Sequence, residues 1–312
     1  MGSSAMVEVS DVDHRYGDQR ALEGVSLRAY RGEVLALIGP NGAGKTTLMA
    51  LMSAELRLQR GQIAIGEGLD RRQSIGLCPQ EDELWDDLRC GEQMVMMARL
   101  HGLGPRDSEE RCRQLAEDLG LAAVRERRAD ALSGGMRRRL SLALALVHDP
   151  PVVILDEPEA GLDPDHRRRF RELIKGLARR EGRAVIMATH HLERLEELAD
   201  RVAILDEGHL VAHESCRSLI ERVCAGSHLN AEVAVSHREA LPELEEKLEA
   251  LGEIQVREAP GGAVVQGVTA DPLALSEVVQ RWLSQGDRGL RSLKVEPPGL
   301  EEAYRRLLES RR

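Results

Sequence analysis

Eight consecutive residues, Gly39, Pro40, Asn41, Gly42, Ala43, Gly44, Lys45 and Thr46, have the types and spacing needed to bind a polyphosphate. Glycines let the backbone curl its N–H groups inward, and a helix starting at the end of the run adds partial positive charge. Lys45 has the charge and reach for the β and γ phosphates, and the Thr46 hydroxyl suits Mg²⁺. The context fits: an apolar run predicts a strand over 34–38, and 46–52, which includes Thr47, reads as a helix. A glycine-rich turn that binds nothing is the plain alternative if this motif stands alone.

It does not stand alone. Residues 152–155 are short, apolar and β-branched, as a central parallel strand requires, and they end in Asp156 and Glu157. Carboxylates at the C-terminal end of such a strand border the phosphate crevice. There Asp156 can hold Mg²⁺, directly or through water, and Glu157 can orient and deprotonate an attacking water. A capping or surface acid pair is the alternative. Residues 184–188 repeat the pattern and lead into Thr189, His190 and His191. His190 would enter the same crevice and donate to the γ-phosphate or to the water, although a histidine at this place, read alone, is more often structural. Ser133, Gly134 and Gly135 open a further helix, and two glycines at a helix start offer a second anion site. Tyr16, beside a hairpin turn, either stacks on a nucleobase or simply packs.

The elements that must position these groups follow from periodicity. Runs over 7–14 and 21–29, separated by turn residues, predict an antiparallel hairpin, and short strands are expected over 61–65 and 74–80. Helices are expected over 90–100 and 108–120, split by Gly102 to Pro105, and over 137–147, which Pro150 and Pro151 terminate. The region 81–148 therefore reads as a helical subdomain on a nucleotide-binding α/β core. A charged helix is expected over 165–180, and Asp206 to His209 predict a hairpin that ends the sheet.

At 312 residues and 42% hydrophobic content, the chain can bury one large core and a smaller one. A net charge of −10 and 2% aromatics argue against nucleic acid as the partner. The basic triplets 137–139 and 167–169 stand among acidic residues and are expected on solvated helix faces. Five scattered cysteines with no paired spacing suggest a reducing compartment rather than a metal or redox centre. No apolar run is long enough to span a bilayer, so any membrane role is expected to be peripheral. Residues 1–6 look like an expression scar.

The ordered set resembles the ATPase domain of ABC transporters over about 7–220: a Walker A loop (39–46), a Q-loop (Gln80), a signature (132–136), a Walker B strand (152–157), a D-loop (Leu162, Asp163) and a switch histidine (His190). Gly76 to Gln80 with Leu84 and Trp85, the signature ending in Met136, and Thr189 to Leu192 are similar to the A subfamily of lipid exporters and its bacterial relatives. The resemblance implies a P-loop core with an antiparallel β subdomain and a helical insertion, and an ATP-hydrolysing subunit with ATP and Mg²⁺ as cofactors. Tyr16 would stack on adenine, and Gln80 would join Lys45, Glu157 and His190 in catalysis and Thr46 and Asp156 at the metal. Two ATPase chains, identical or close paralogues, would form a head-to-tail dimer, each ATP lying between one phosphate loop and the partner's Ser133, Gly134 and Gly135. A separate permease would dock near 81–100, on the cytoplasmic face of the membrane. Glu159 departs from the family's usual Thr or Ser, adding charge near the dimer seam.

The stretch 227–312 differs in character. A strand over 228–235, a helix over 241–251, a hairpin of 254–258 and 263–268, a helix over 273–285 and a strand over 290–296 give the order β-α-β-β-α-β of a ferredoxin-like split fold, followed by a last helix from Gly299. This α+β domain is expected to be structural, with a regulatory or dimer-contact role implied by resemblance. Two other classes compete with the transporter reading. A soluble ABC protein acting on ribosomes or DNA would show tandem ATPase domains, a basic linker or a coiled-coil insertion. A regulatory module without turnover would not need Glu157 and His190.

Overall fold

In the computed structural model, the described residues are 5–160, 162–192, 195–224, 227–235, 246–248, 252–259, 262–269, 272–283, 288–296 and 298–311. They form two compact units, Met1–Cys216 and Arg217–Arg312.

The first unit begins with β1 (Ala5–Tyr16) and β2 (Gln19–Tyr30), which pair antiparallel, and β4 (Arg60–Ile65) adds to β1. The hairpin is longer than its apolar runs suggest, because its tip is polar and stays exposed. Met6 is buried and its carbonyl accepts from Gly66 N–H, so β1 begins within the stretch 1–6.

The main sheet has the order β5-β6-β7-β3-β8-β9, from β3 (Val34–Ile38), β5 (Ile75–Cys78), β6 (Val152–Asp156), β7 (Ala184–Ala188), β8 (Arg201–Asp206) and β9 (His209–Ser215). The first five run parallel and β9 closes the edge antiparallel. Every residue of β3, β6 and β7 is buried, as expected of central strands covered on both faces.

Helix α1 (Lys45–Met52) follows β3, and a single turn, α2 (Arg71–Ser74), precedes β5. That turn was not expected; Asp70 supports it by accepting from the N–H groups of Arg72 and Gln73. The helical region contains α3 (Cys90–Leu100), α4 (Pro105–Asp118), whose first residue is a proline needing no N–H partner, and α5 (Gly134–Leu146). Helices α6 (Pro164–Arg179) and α7 (Leu195–Leu198) complete the first unit's helices, and α8 (Cys216–Val223) starts at its last residue and belongs otherwise to the second unit. Gly76 lets β5 approach α5 closely, since a Cβ there would lie 2.0 Å from the Ala145 carbonyl oxygen. The five cysteines are free and buried.

In the second unit, β10 (Ser227–Val235), β11 (Gly252–Ala259), β12 (Gly262–Thr269) and β13 (Arg288–Glu296) form an antiparallel sheet in the order β11-β12-β10-β13. Helix α9 (Pro272–Leu283) precedes β13, and α10 (Leu300–Glu309) buries Leu300, Ala303 and Leu307 along one stripe. The helix predicted over 241–251 lies outside the described residues except for 246–248, which are helical.

Candidate functional site

The phosphate loop is held open from below. Gly44 adopts φ 102° at the N-terminus of α1, and a Cβ there would strike the Ala21 carbonyl oxygen at 2.6 Å. Gly208, in the β8–β9 turn, donates to Ala43 O at 3.2 Å and accepts from Glu23 N–H at 2.9 Å, so turn, hairpin and loop brace one another. Lys45 Nζ folds over the loop and donates to Gly39 O at 2.7 Å and Pro40 O at 3.0 Å. Burial pushes this ammonium below the usual lysine range, while Glu157 and Asp156 pull the other way. Asn41 and Gly42 are exposed at the loop's rim. Tyr16 is half exposed; its hydroxyl lies 3.5 Å from Thr47 Oγ1 and its ring meets His14 edge to face at 4.8 Å. The hairpin tip thus sets an aromatic face beside the first turn of α1.

Strand order explains why distant motifs meet. β6, β7 and β3 are neighbours, so their C-terminal ends deliver the acids, the histidine and the phosphate loop to one crevice. Thr46 Oγ1 donates to Asp156 Oδ2 at 3.4 Å. Burial, and then the charge of Glu157, push the Asp156 carboxyl above the usual range, against the Thr46 hydrogen bond and the cations Lys45 and Arg138. A hydroxyl beside a carboxylate that burial disfavours is the hard oxygen donor set that Mg²⁺ prefers. Glu157 has φ 43°, a left-handed conformation uncommon for a side-chain-bearing residue, and its N–H donates to Ala188 O at 3.0 Å. Its Oε1 is 2.7 Å from His190 Nδ1, and its Oε2 is buried without a partner.

Arg138 is the residue that sequence reading misplaced. Expected on a solvated face, it is 4% exposed, because it lies in phase with Ser141 and Ala145 on the side of α5 that packs on β5. Its guanidinium donates to Pro79 O at 2.5 Å, Asp156 O at 2.6 Å and Asp82 Oδ1 at 3.2 Å, with longer contacts to Gln80 O and Pro158 O at 3.4 Å. Five acceptors from the exits of β5 and β6 explain why a cation can be buried there. Gln80 itself is exposed after β5.

Glu159 is 5% exposed and takes a two-pronged ion pair from Arg171, Nε to Oε1 at 2.5 Å and Nη2 to Oε2 at 2.8 Å, so its charge is paired within the chain. Asp163 caps α6 by accepting from His166 N–H at 3.0 Å and lies 2.6 Å from His166 Nδ1; these bonds hold its carboxyl below the usual range. Ser133 is the N-cap of α5 with no side-chain capping bond, which leaves its hydroxyl and the first glycine N–H groups available. Gly135 faces the His166 ring; a Cβ on it would lie 3.5 Å from Cδ2.

Comparisons with known proteins agree with this geometry. A family model described as ABC transporter matches residues 22–160. The chain is 38% identical over 219 residues to a daunorubicin resistance ATP-binding protein of Streptomyces coeruleorubidus, covering 68% of this chain and 69% of that one. It is 33% identical over 311 residues to Nod factor export ATP-binding protein I of Rhizobium sp. (strain N33), covering 98% and 97%. Among solved structures, an ATP binding subunit of an ABC transporter superposes with TM-score 0.63 at 28% identity, over 70% of this chain and 92% of that one.

Proposed function

The chain belongs to the ATP-binding proteins of ABC transporters, and we propose how its own residues divide the work of hydrolysis. It is an ATPase subunit of the exporter type. The observation that carries the assignment of roles is the convergence of Lys45, Thr46, Asp156, Glu157 and His190 at the ends of three adjacent strands. Lys45 exchanges its two loop carbonyls for phosphate oxygens, which compensates its burial. Thr46 and Asp156, with Gln80 from the exit of β5, would hold Mg²⁺, which when bound would supply neutralisation of the phosphate charge. Glu157 takes the proton of the attacking water on its unpartnered Oε2, and His190, tethered through Nδ1 to Oε1, presents its other ring nitrogen to the γ-phosphate. Tyr16 stacks on adenine, with Thr47 behind it.

Ser133, Gly134 and Gly135 serve the nucleotide of a second ATPase chain, a copy or close paralogue, in a head-to-tail dimer whose seam includes Asp163. The membrane partner is a permease docked from the cytoplasmic face, a reading supported by the exporter-type relatives; no helix of the described residues is long and apolar enough to cross a bilayer. Its docking place is the groove of about 530 Å³ between α3, α5 and β5, lined by Leu84, Trp85, Met97 and Leu144. Trp85 is 45% exposed there, and buried Gln93 fixes it by bonding both Trp85 N–H and Trp85 O. For the second unit the reading is a ferredoxin-like module, supported by the sheet order β11-β12-β10-β13, with a regulatory or dimer-contact role that rests on resemblance alone.

Glu157→Gln tests the shared site. Without the base the chain retains ATP and accumulates as an ATP-dependent dimer in light scattering, because nucleotide bridges the subunits. Adding Ser133→Arg blocks the glycine N-terminus and abolishes the dimer while single chains still bind a fluorescent nucleotide. Dimers that survive Ser133→Arg refute the head-to-tail arrangement.

A further inference from the structure

His191 has no part in the hydrolysis described above. β7 ends at Ala188, so His190 and His191 lie on irregular backbone, where consecutive side chains are not forced to opposite faces. Their rings stand 4.0 Å apart, tilted by 39°. One ligand atom from each of Glu157, His190 and His191 falls within 4.8 Å of the others. The second carboxylate oxygen of Glu157 is buried with no partner, in a side chain only 9% exposed. Such an orphan acceptor is costly unless something satisfies it. The His190 side chain is 55% exposed and His191 is partly so, which opens the cluster to solvent.

Two imidazoles and one carboxylate are the donors of a borderline-soft cation with an open fourth position, and they suit Mg²⁺ poorly, since it demands oxygen ligands and keeps its water. We propose that Glu157, His190 and His191 form a binding site for zinc or a similar transition-metal ion, separate from the oxygen site of Thr46 and Asp156. Occupancy silences hydrolysis, because the metal takes the carboxylate that accepts the water proton and the imidazole that faces the γ-phosphate. Tetrahedral zinc at ~2.0–2.1 Å from its ligands sets the donors roughly 3.4 Å apart. The cluster therefore closes by on the order of 1 Å, within reach of side-chain rotation at the two histidines. Binding depends only on these three side chains; its effect on turnover rests on the ATPase reading.

His191→Ala is the informative variant, since His191 itself has no assigned role in hydrolysis, His190 keeps its tether to Glu157 Oε1 at 2.7 Å, and the backbone N–H bond to Thr189 Oγ1 at 3.0 Å is retained. The full-length, nucleotide-free protein is titrated with Zn²⁺ by calorimetry, and ATPase activity is then followed against Zn²⁺ at fixed Mg²⁺. The parent binds one zinc that the variant binds at least roughly ten-fold more weakly, a loss no smaller than removing an outer-shell partner causes. The half-inhibitory zinc concentration rises by the same factor, while zinc-free turnover is unchanged. Equal zinc binding, or equal inhibition, in parent and His191→Ala overturns the site. Inhibition without zinc binding to the nucleotide-free parent also overturns it, since the metal then acts through ATP. Zinc bound through His191 in a chain that turns over no ATP leaves the site standing and removes the hydrolytic reading instead.

Discussion

Replacing Arg138 with methionine, which is of similar length and apolar, strips five acceptors of one donor. Two of the bonds are short and charge-assisted, to Pro79 O and Asp156 O. Hydrogen bonds to a charged group contribute about 1.5–3 kcal/mol each, and breaking a buried ion pair costs about 3–5 kcal/mol. Simple addition overshoots, because Asp82 is 20% exposed and can turn to water once its partner is gone. The expected loss is about 3–5 kcal/mol, which lowers the melting temperature by roughly 6–20 °C for a unit of this size.

Arg138→Lys restores the charge opposite Asp82 but cannot span the carbonyls of two strands, so it recovers only part of the loss. Thermal unfolding of parent, Arg138→Met, Arg138→Lys, Asp82→Asn and the double variant gives the coupling. Turnover provides the second readout. A shift of about 1 Å at the exit of β6 misplaces Glu157 and costs on the order of 10²-fold in kcat, with nucleotide binding through Lys45 largely kept. A methionine variant within about 1 kcal/mol of the parent, with parental kcat, refutes the reasoning.

Three further outcomes follow from the structure. Burial holds His148 down to about 4, beside the stacked ring of His101, against an unfolded value of 6.5. Its folded pKa is depressed, so it lends stability above pH 6.5 that is lost as pH falls toward 4, and His148→Gln should flatten melting temperature across that window. Asp156 is shifted the other way, its ionised form being disfavoured in the folded, nucleotide-free chain. Asp156→Asn should therefore melt higher than the parent at neutral pH, lose that advantage as pH drops into the carboxylate range, and fail to hydrolyse ATP. Gly76→Ala places a methyl group 2.0 Å from Ala145 O and 2.9 Å from Pro150 Cγ. It should cost about 1–3 kcal/mol or more in denaturant unfolding, and a parental midpoint would show that β5 and α5 can separate freely.

What was legible in the sequence was whatever chemistry is written in consecutive residues. The loop at 39–46, the acids after a buried strand and the histidine after another are each local, and a parallel sheet brings such strand ends together without further instruction. The misplaced residues are those whose environment comes from elsewhere in the chain. Arg138 sits in a basic triplet that looks solvated until the carbonyls of Pro79 and Asp156, 59 and 18 residues away, are found around it. A usable signal was present: positions 138, 141 and 145 share a helix face with the apolar run of α5, so this arginine had to be buried if that face was. Glu159 likewise draws its partner from elsewhere in the chain, since Arg171 lies 12 residues on, across the turn into α6.

Arg138 also bears on how two half-sites could act together. It lies in the second turn of α5, whose N-terminus carries Ser133, Gly134 and Gly135, and it holds the carbonyls that leave β5 toward Gln80 and β6 toward Glu157. A helix is stiff along its axis, so a displacement of the α5 N-terminus cannot be absorbed before it reaches the guanidinium. In the proposed head-to-tail dimer, a γ-phosphate of one site drawing on the glycines of the other chain would then be felt at that chain's own Asp156 and Glu157. Arg138→Lys, which keeps the charge but not the two-strand grip, should lower the Hill coefficient for ATP more than it lowers nucleotide affinity. Unchanged cooperativity in a folded, active lysine variant would mean that the sites communicate through another path.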